Sequence, residues 1–172
     1  RFIQPIEGYN VNHLNYGWGY AKTTTFSFYV KSSLTGTFST FVFNNTANRS
    51  FISTYTISAA NTWEKKSITI PGDQGGLWEK SNSVGMYIGW SLGTGTNFQT
   101  STLNAWDGSF KMAGTSQVNL AATNGATWQV TGVQLELGSQ ATPFEHDNIS
   151  DLMDKCYRYY HDSFHRGKIP GT

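Results

Sequence analysis

Alternation dominates the chain. Across residues 25–31, Phe26, Phe28 and Val30 share one face while Thr25, Ser27, Tyr29 and Lys31 share the other, the period-2 pattern of a half-buried strand. Leu34-Thr-Gly36 breaks the run as a turn. Residues 37–44 resume it, with Phe38 set apart from the unbroken Phe41-Val-Phe43. Residues 44–48 form a polar loop, 50–58 alternate again through Phe51, Ser53, Tyr55 and Ile57, and 63–70 place Ile68 and Ile70 on one face. Pro71-Gly-Asp-Gln-Gly-Gly76 ends that strand, because proline lacks a donor and glycine relaxes the backbone. Residues 84–92 read as a buried strand interrupted by Gly85 and Gly89. The stretch 93–125 is polar and Gly-spaced, with weak strands near 109–113 and 117–121. Residues 127–137 form the longest strand, in which Trp128, Val130, Gly132, Gln134 and Glu136 oppose Gln129, Thr131, Val133, Leu135 and Leu137.

Strands separated by turn signals, with no helix between them, predict an all-β, antiparallel β-sandwich of the jelly-roll kind. One helix is expected, at residues 149–160, because Ile149, Leu152, Met153, Cys156 and Tyr160 recur on one helical face. Asn148 or Ser150 is placed to cap it, with Asp151 and Asp154 in its first turns. The predicted organisation is a sandwich over 1–148, the helix at 149–160 packed on the same domain, and a polar tail or linker over 161–172. No internal repeat and no second domain are visible.

Composition narrows the function. The chain has 172 residues, a net charge of +1 and only 13% charged residues, so the clustered Lys and Arg that hold nucleic acid or acidic membranes are absent. No apolar run reaches the ~20 residues of a membrane span, and no secretory signal is visible. Arg1 and Phe2-Ile3 begin in mid-pattern, which suggests a piece of something longer. Cys156 is alone, so no internal disulfide is expected. Aromatics at 15% among abundant Gly, Ser, Thr and Asn suit a surface that meets neutral polar partners, such as sugars or other subunits.

The aromatics are the leading candidates for chemistry. A sugar ring presents a face of C–H bonds on which a flat aromatic packs, while nearby amides and carboxylates bond its hydroxyls. Tyr16, Trp18 and Tyr20, then Trp78, then Asn104, Trp106 and Asp107 lie in polar, loop-like contexts suited to this. The competing reading is that each ring plugs an end of the sandwich. Trp63, Trp90 and Trp128 fall within predicted strands and are expected in the core. No catalytic residue is expected: the acids form no recognisable hydrolytic pair and no serine lies in a nucleophile elbow. His161 and His165 have helical metal-pair spacing but no third ligand. No cofactor is expected beyond a structural calcium, for which Asp73 and Asp107 are the candidate ligands. Asn44, Asn48 and Asn148 begin sequons of the kind that arise by chance in such a composition.

The closing stretch runs Thr131-Gly-Val-Gln-Leu-Glu-Leu-Gly-Ser-Gln-Ala-Thr-Pro-Phe-Glu-His146, then Cys156-Tyr-Arg-Tyr-Tyr160. It resembles the closing signature of jelly-roll domains in tail and fibre proteins of phages and prophages. Ile6-Glu-Gly-Tyr-Asn10, residues 26–33, Asn48-Arg-Ser50, residues 55–64 and Ile68-Thr-Ile-Pro-Gly-Asp73 follow the same pattern in the same order. That family is similar to carbohydrate-binding modules of the family-4/9 type. The resemblance implies a virion location, exposed outside the cell, and a non-catalytic, multivalent module that binds host-surface glycans. It also implies contacts with other virion subunits and a homotrimer, since phage fibres are commonly trimeric. Glu136 and Glu145 belong to the signature and are expected to bond loop amides or an arginine. Trp63 and the Trp78 region recur in the pattern too, which favours a structural role for them and leaves the loops at 16–20 and 97–106 as the better sugar candidates. Two alternatives stay open. The domain is then a structural or decoration module, with Tyr157, Arg158, Tyr159 and Tyr160 as its interface, or a carbohydrate-binding module of a polysaccharide-degrading enzyme.

Overall fold

The protein is seen here in a computed structural model that describes residues 1–159. It divides into two compact units, Arg1–Thr142 and a second beginning at Pro143. The first is an antiparallel β-sandwich. Its five-stranded sheet runs in the order β1 (Phe2–Glu7), β6 (Val84–Ser91), β3 (Gly36–Asn44), β4 (Ser50–Ile57) and β8 (Trp106–Asp107). Facing it, a three-stranded sheet runs β10 (Trp128–Leu137), β2 (Thr24–Ser32), β5 (Glu64–Ile70). A short parallel pair, β7 (Gln99–Thr100) and β9 (Ala113–Gly114), lies in the polar, Gly-spaced stretch. The one-turn helix α1 (Gly8–Val11) follows β1.

The alternating residues build the space between the sheets. Phe26, Phe28 and Val30 of β2 meet Phe38 and Val42 of β3, Phe51, Tyr55 and Ile57 of β4, and Met86, Ile88 and Trp90 of β6. Burial of these side chains stabilises by roughly 1.5–3 kcal/mol each before ordering costs. Ile68 and Ile70 enter from β5.

A second, smaller cluster explains the unbroken Phe41-Val-Phe43. Val42 points into the sandwich, whereas Phe41, Phe43 and Ile52 lie on the opposite side of the five-stranded sheet. Leu103, Phe110 and Met112 cover them there, with the Phe110 ring edge-on to Phe43 at 4.9 Å. Most of residues 98–114 are therefore a lid over a sheet face, interrupted by β8, whose Trp106 packs on the sandwich core, and the apolar residues of the lid obey no period. Gly89 of β6 is required on the same side: a Cβ there would lie 2.3 Å from the Phe2 carbonyl oxygen and 2.9 Å from the Phe41 ring.

Strand β10 departs from simple alternation. Thr131 pairs with Tyr29 and Gln134 with Ser27, so Gly132 and Val133 together oppose Phe28. Gly132 takes φ +56°, the left-handed conformation that glycine adopts at no steric cost and that makes a bulge. The extra residue reverses the faces beyond it. Trp128 and Val130 pack on the core, but so does Leu135, and the face expected to carry Gln134 and Glu136 inward is turned out.

Trp63 also differs from expectation. The strand starts at Glu64, and Trp63 is 44% exposed, its ring lying 5.2 Å from the Lys31 ammonium. Trp90, by contrast, is fully buried.

The second unit carries α2 (Ile149–Tyr157). Asn148 caps it, its side-chain oxygen accepting the Ser150 N–H at 3.0 Å. The helix ends at Tyr157, short of the expected Tyr160, because Arg158 and Tyr159 form a closing turn in which the Tyr159 N–H bonds the Cys156 carbonyl. Tyr160 and the His161–His165 pair lie outside the described residues.

Candidate functional site

The candidate aromatics divide into a buried plug and an exposed platform. Tyr16, Trp78 and Trp106 meet edge to face, with centroids 4.9 Å apart for Tyr16–Trp78, 5.7 Å for Tyr16–Trp106 and 5.4 Å for Trp78–Trp106. Such pairs add about 0.5–1.5 kcal/mol beyond burial. Each polar end is satisfied internally. The Tyr16 hydroxyl pairs with the Thr24 hydroxyl at 3.2 Å, and the Trp78 indole N–H donates to Asp73 Oδ2 at 3.0 Å. The Trp106 N–H donates to the Pro71 carbonyl at 2.7 Å. Tyr16 and Trp78 are buried and Trp106 is partly so. These rings, singled out as ligand candidates, close an end of the sandwich instead.

Asp73 is the centre of this plug. Its side chain is 1% exposed, and its carboxylate takes two hydrogen bonds from Arg49, at 2.9 Å and 2.5 Å. This is the bidentate geometry that suits a guanidinium. That contact in turn holds the Arg49 pKa above its ordinary value. Asn44, fully buried, completes the cage: its amide donates to the Leu77 carbonyl at 2.9 Å and its oxygen accepts the Asn48 and Arg49 N–H groups. The loop after β3 and the loop after β5 are thus locked together. Sequence reasoning missed Asn44 and Arg49, although Asn48-Arg-Ser50 and the closing Asp73 are among the quoted motifs.

Burial has a consequence for alkaline pH. It raises the Tyr16 pKa from 10.0 to about 12, and burial also raises Tyr55. A tyrosine whose folded pKa exceeds its unfolded value favours the neutral folded form, so its contribution is present below pH 10 and is lost as pH climbs through the folded pKa. For Tyr16 that window is pH 10 to 12, and two units correspond to about 2–3 kcal/mol. Denaturation titrations across the window are expected to show the loss, and Tyr16→Phe to show a shallower one. An equal slope in both proteins would refute the assignment.

On this plug stands the exposed part. Trp18 is 51% and Tyr20 65% exposed, and their rings stack at 6.0 Å with 24° between planes. Lys80 holds its ammonium 4.9 Å from the Trp18 ring centroid. Leu77, 81% exposed, rises beside them because its backbone is held by Asn44. Between the two loops lies an open cleft of about 310 Å³, lined by Tyr16, Gly17, Trp18, Gly76, Leu77, Trp78 and Lys80. The sequence therefore brought together Trp18, Tyr20 and the Trp78 region, but the last serves as floor rather than as binding face.

Asn104 and Asp107 have local tasks. Asn104, at φ +58°, accepts the Ser53 hydroxyl at 2.7 Å, and Asp107 accepts the Ser109 N–H and hydroxyl at 2.9 and 2.8 Å. They fix the turns on either side of Trp106. Of the two proposed calcium ligands, Asp73 is filled by Arg49, Trp78 and the Gly75 N–H, and Asp107 commits Oδ1 to Ser109. Among the described residues no group of three or more His, Cys, Asp or Glu comes together.

Glu136 receives the Thr142 N–H at 3.2 Å and the Gln134 amide at 2.6 Å, the loop-tethering task expected of it, and its pKa is lowered by those bonds. In the second unit the Arg158 guanidinium lies 5.9 Å from the Tyr159 ring, beside Tyr157 at the helix end. Compared with family models, curated proteins and solved structures, the chain matches none.

Proposed function

We propose that this domain is a non-catalytic virion module, of the tail or fibre kind its closing signature resembles, that holds host-surface glycans on the Trp18–Tyr20 platform. The observation that carries this reading is the pair of rings, each at least half exposed, standing on a caged loop beside an open cleft. Two exposed aromatics on a flexible loop would collapse onto the protein. Here the loop is anchored to the 71–78 segment, with the Gly17 N–H on the Asp73 carbonyl at 2.8 Å, so the apolar faces stay presented. A pyranose packs its C–H face on such a ring, and the neighbouring backbone bonds its hydroxyls.

A shallow platform of this size binds weakly. Millimolar affinity, about −4 kcal/mol, becomes adhesion when several copies act on one surface. Trimeric display is part of this reading, and light scattering on the isolated domain tests that part.

Trp18→Ala and Tyr20→Ala are expected to weaken glycan binding and host adsorption about tenfold or more, the scale of losing an aromatic anchor. Their melting temperatures should stay near that of the parent, because both side chains are largely solvated. The structural-module reading is favoured by one observation: Tyr16, Trp78 and Trp106 are committed to the fold. Unchanged adsorption by both variants, with folding intact, would decide for it. No glycan-hydrolysing activity is expected in either case.

A further inference from the structure

We infer that the Trp18–Tyr20 site selects anionic saccharides, with Lys80 as the residue that reads the charge. This deepens the glycan reading above and rests on it.

Lys80 is the charged side chain in the cleft lining, and its ammonium sits over the Trp18 face at 4.9 Å. The acids nearest in the fold are already engaged. Asp73 is neutralised by Arg49, and the Glu79 carboxylate accepts the Lys80 and Ser81 N–H groups at 2.9 Å each. Glu79 stays ionised next to it in the chain, so the positive charge offered to the cleft is that of the Lys80 ammonium itself.

The placement sets a sign. A saccharide that stacks on the occupied face of Trp18 must move the ammonium aside, giving up a cation–π contact. A neutral sugar returns only hydroxyl hydrogen bonds for that loss. A sugar bearing a carboxylate, sulfate or phosphate draws the ammonium into an ion pair and a charge-assisted hydrogen bond, while its ring takes the uncovered indole. The lysine stem is long and unbranched enough to swing between the two positions. Lys80 thus disfavours neutral sugars and favours acidic ones at the same contact.

The test uses matched saccharide pairs that differ only at C6, glucuronides against glucosides and galacturonides against galactosides. Sulfated counterparts, free acetate and free sulfate are further arms, all read by isothermal titration and Trp fluorescence. The parent is expected to prefer the acidic member by about fivefold or more, the scale of one partly exposed ion pair plus a cation–π exchange. The preference should shrink as ionic strength rises. Lys80→Gln should abolish the preference from both sides, weakening acidic-sugar binding and strengthening neutral-sugar binding, and Lys80→Arg should restore it in part. Equal binding of both members overturns the inference and leaves the glycan reading standing. Binding of no saccharide by a folded protein overturns both. Competition by free acetate or sulfate as strong as by the acidic sugars also overturns it, since the site would then be an anion site without a sugar contact.

Discussion

Arg49→Met is expected to destabilise the domain by about 3–5 kcal/mol, the cost of breaking a buried ion pair from one side, and to cost more than Asp73→Asn. The asymmetry follows from exposure. Arg49 is 21% exposed and Asp73 1%, so removing the carboxylate leaves a guanidinium that reaches water. Removing the guanidinium instead leaves a carboxylate sealed among Trp78, Gly75 and the loop backbone. Methionine keeps the stem that packs against Gly76, so the loss reports charge and hydrogen bonds rather than a cavity. The double substitution should cost less than the sum of the single ones, since it leaves no unpaired charge. Chemical denaturation of the three variants measures this. An Arg49→Met protein no less stable than Asp73→Asn would refute the asymmetry, and negligible loss in both would show that the pair does not hold the two loops.

The same ion pair shows what the sequence made legible and what it did not. Period-2 patterning located β2, β3, β4 and β5, because a strand between core and solvent writes its burial directly into the chain, and a buried apolar run located β6. Other features escaped both, strand β1 at the start of the chain among them. The bulge at Gly132 reverses the faces of β10 with one residue, which leaves no mark except a glycine. Most of residues 98–114 pack on the outer side of a sheet, where Leu103, Phe110 and Met112 contribute contacts without periodicity. Trp63 sits one residue before its strand, so a residue expected inward is turned to solvent beside Lys31.

For the site, the loop aromatics were the right neighbourhood, but sequence cannot separate a ring that plugs from a ring that presents. That distinction depends on what lies beneath, here Asp73, Arg49 and Asn44, residues far apart in the chain. Their polar character reads as a solvated loop until the partners are seen. Several quoted motifs carry structure: Arg49 and Asp73 pair, Glu64 accepts the Ser58 and Ala59 N–H groups, and Glu136 tethers Thr142.

Phe28→Ala is expected to cost about 3–5 kcal/mol, the upper range for truncating a core aromatic. Phe28 is fully buried at the centre of the sandwich, with Phe26, Tyr55 and Trp90 at 5.1, 5.2 and 5.3 Å between centroids. These neighbours are themselves held by paired strands, so they cannot collapse into the space left behind, and the cavity term adds to the lost burial. Trp128→Ala removes a larger side chain but is expected to cost less. Trp128 lies on β10, at the sheet edge, and is only partly buried. Its indole N–H donates to the Tyr55 hydroxyl at 3.2 Å, a bond that water can replace at an edge strand. Size alone predicts the reverse order. Thermal or urea unfolding of the two variants discriminates: a Trp128→Ala loss exceeding that of Phe28→Ala would mean that the core is centred on the β10 edge and not between β2 and the five-stranded sheet.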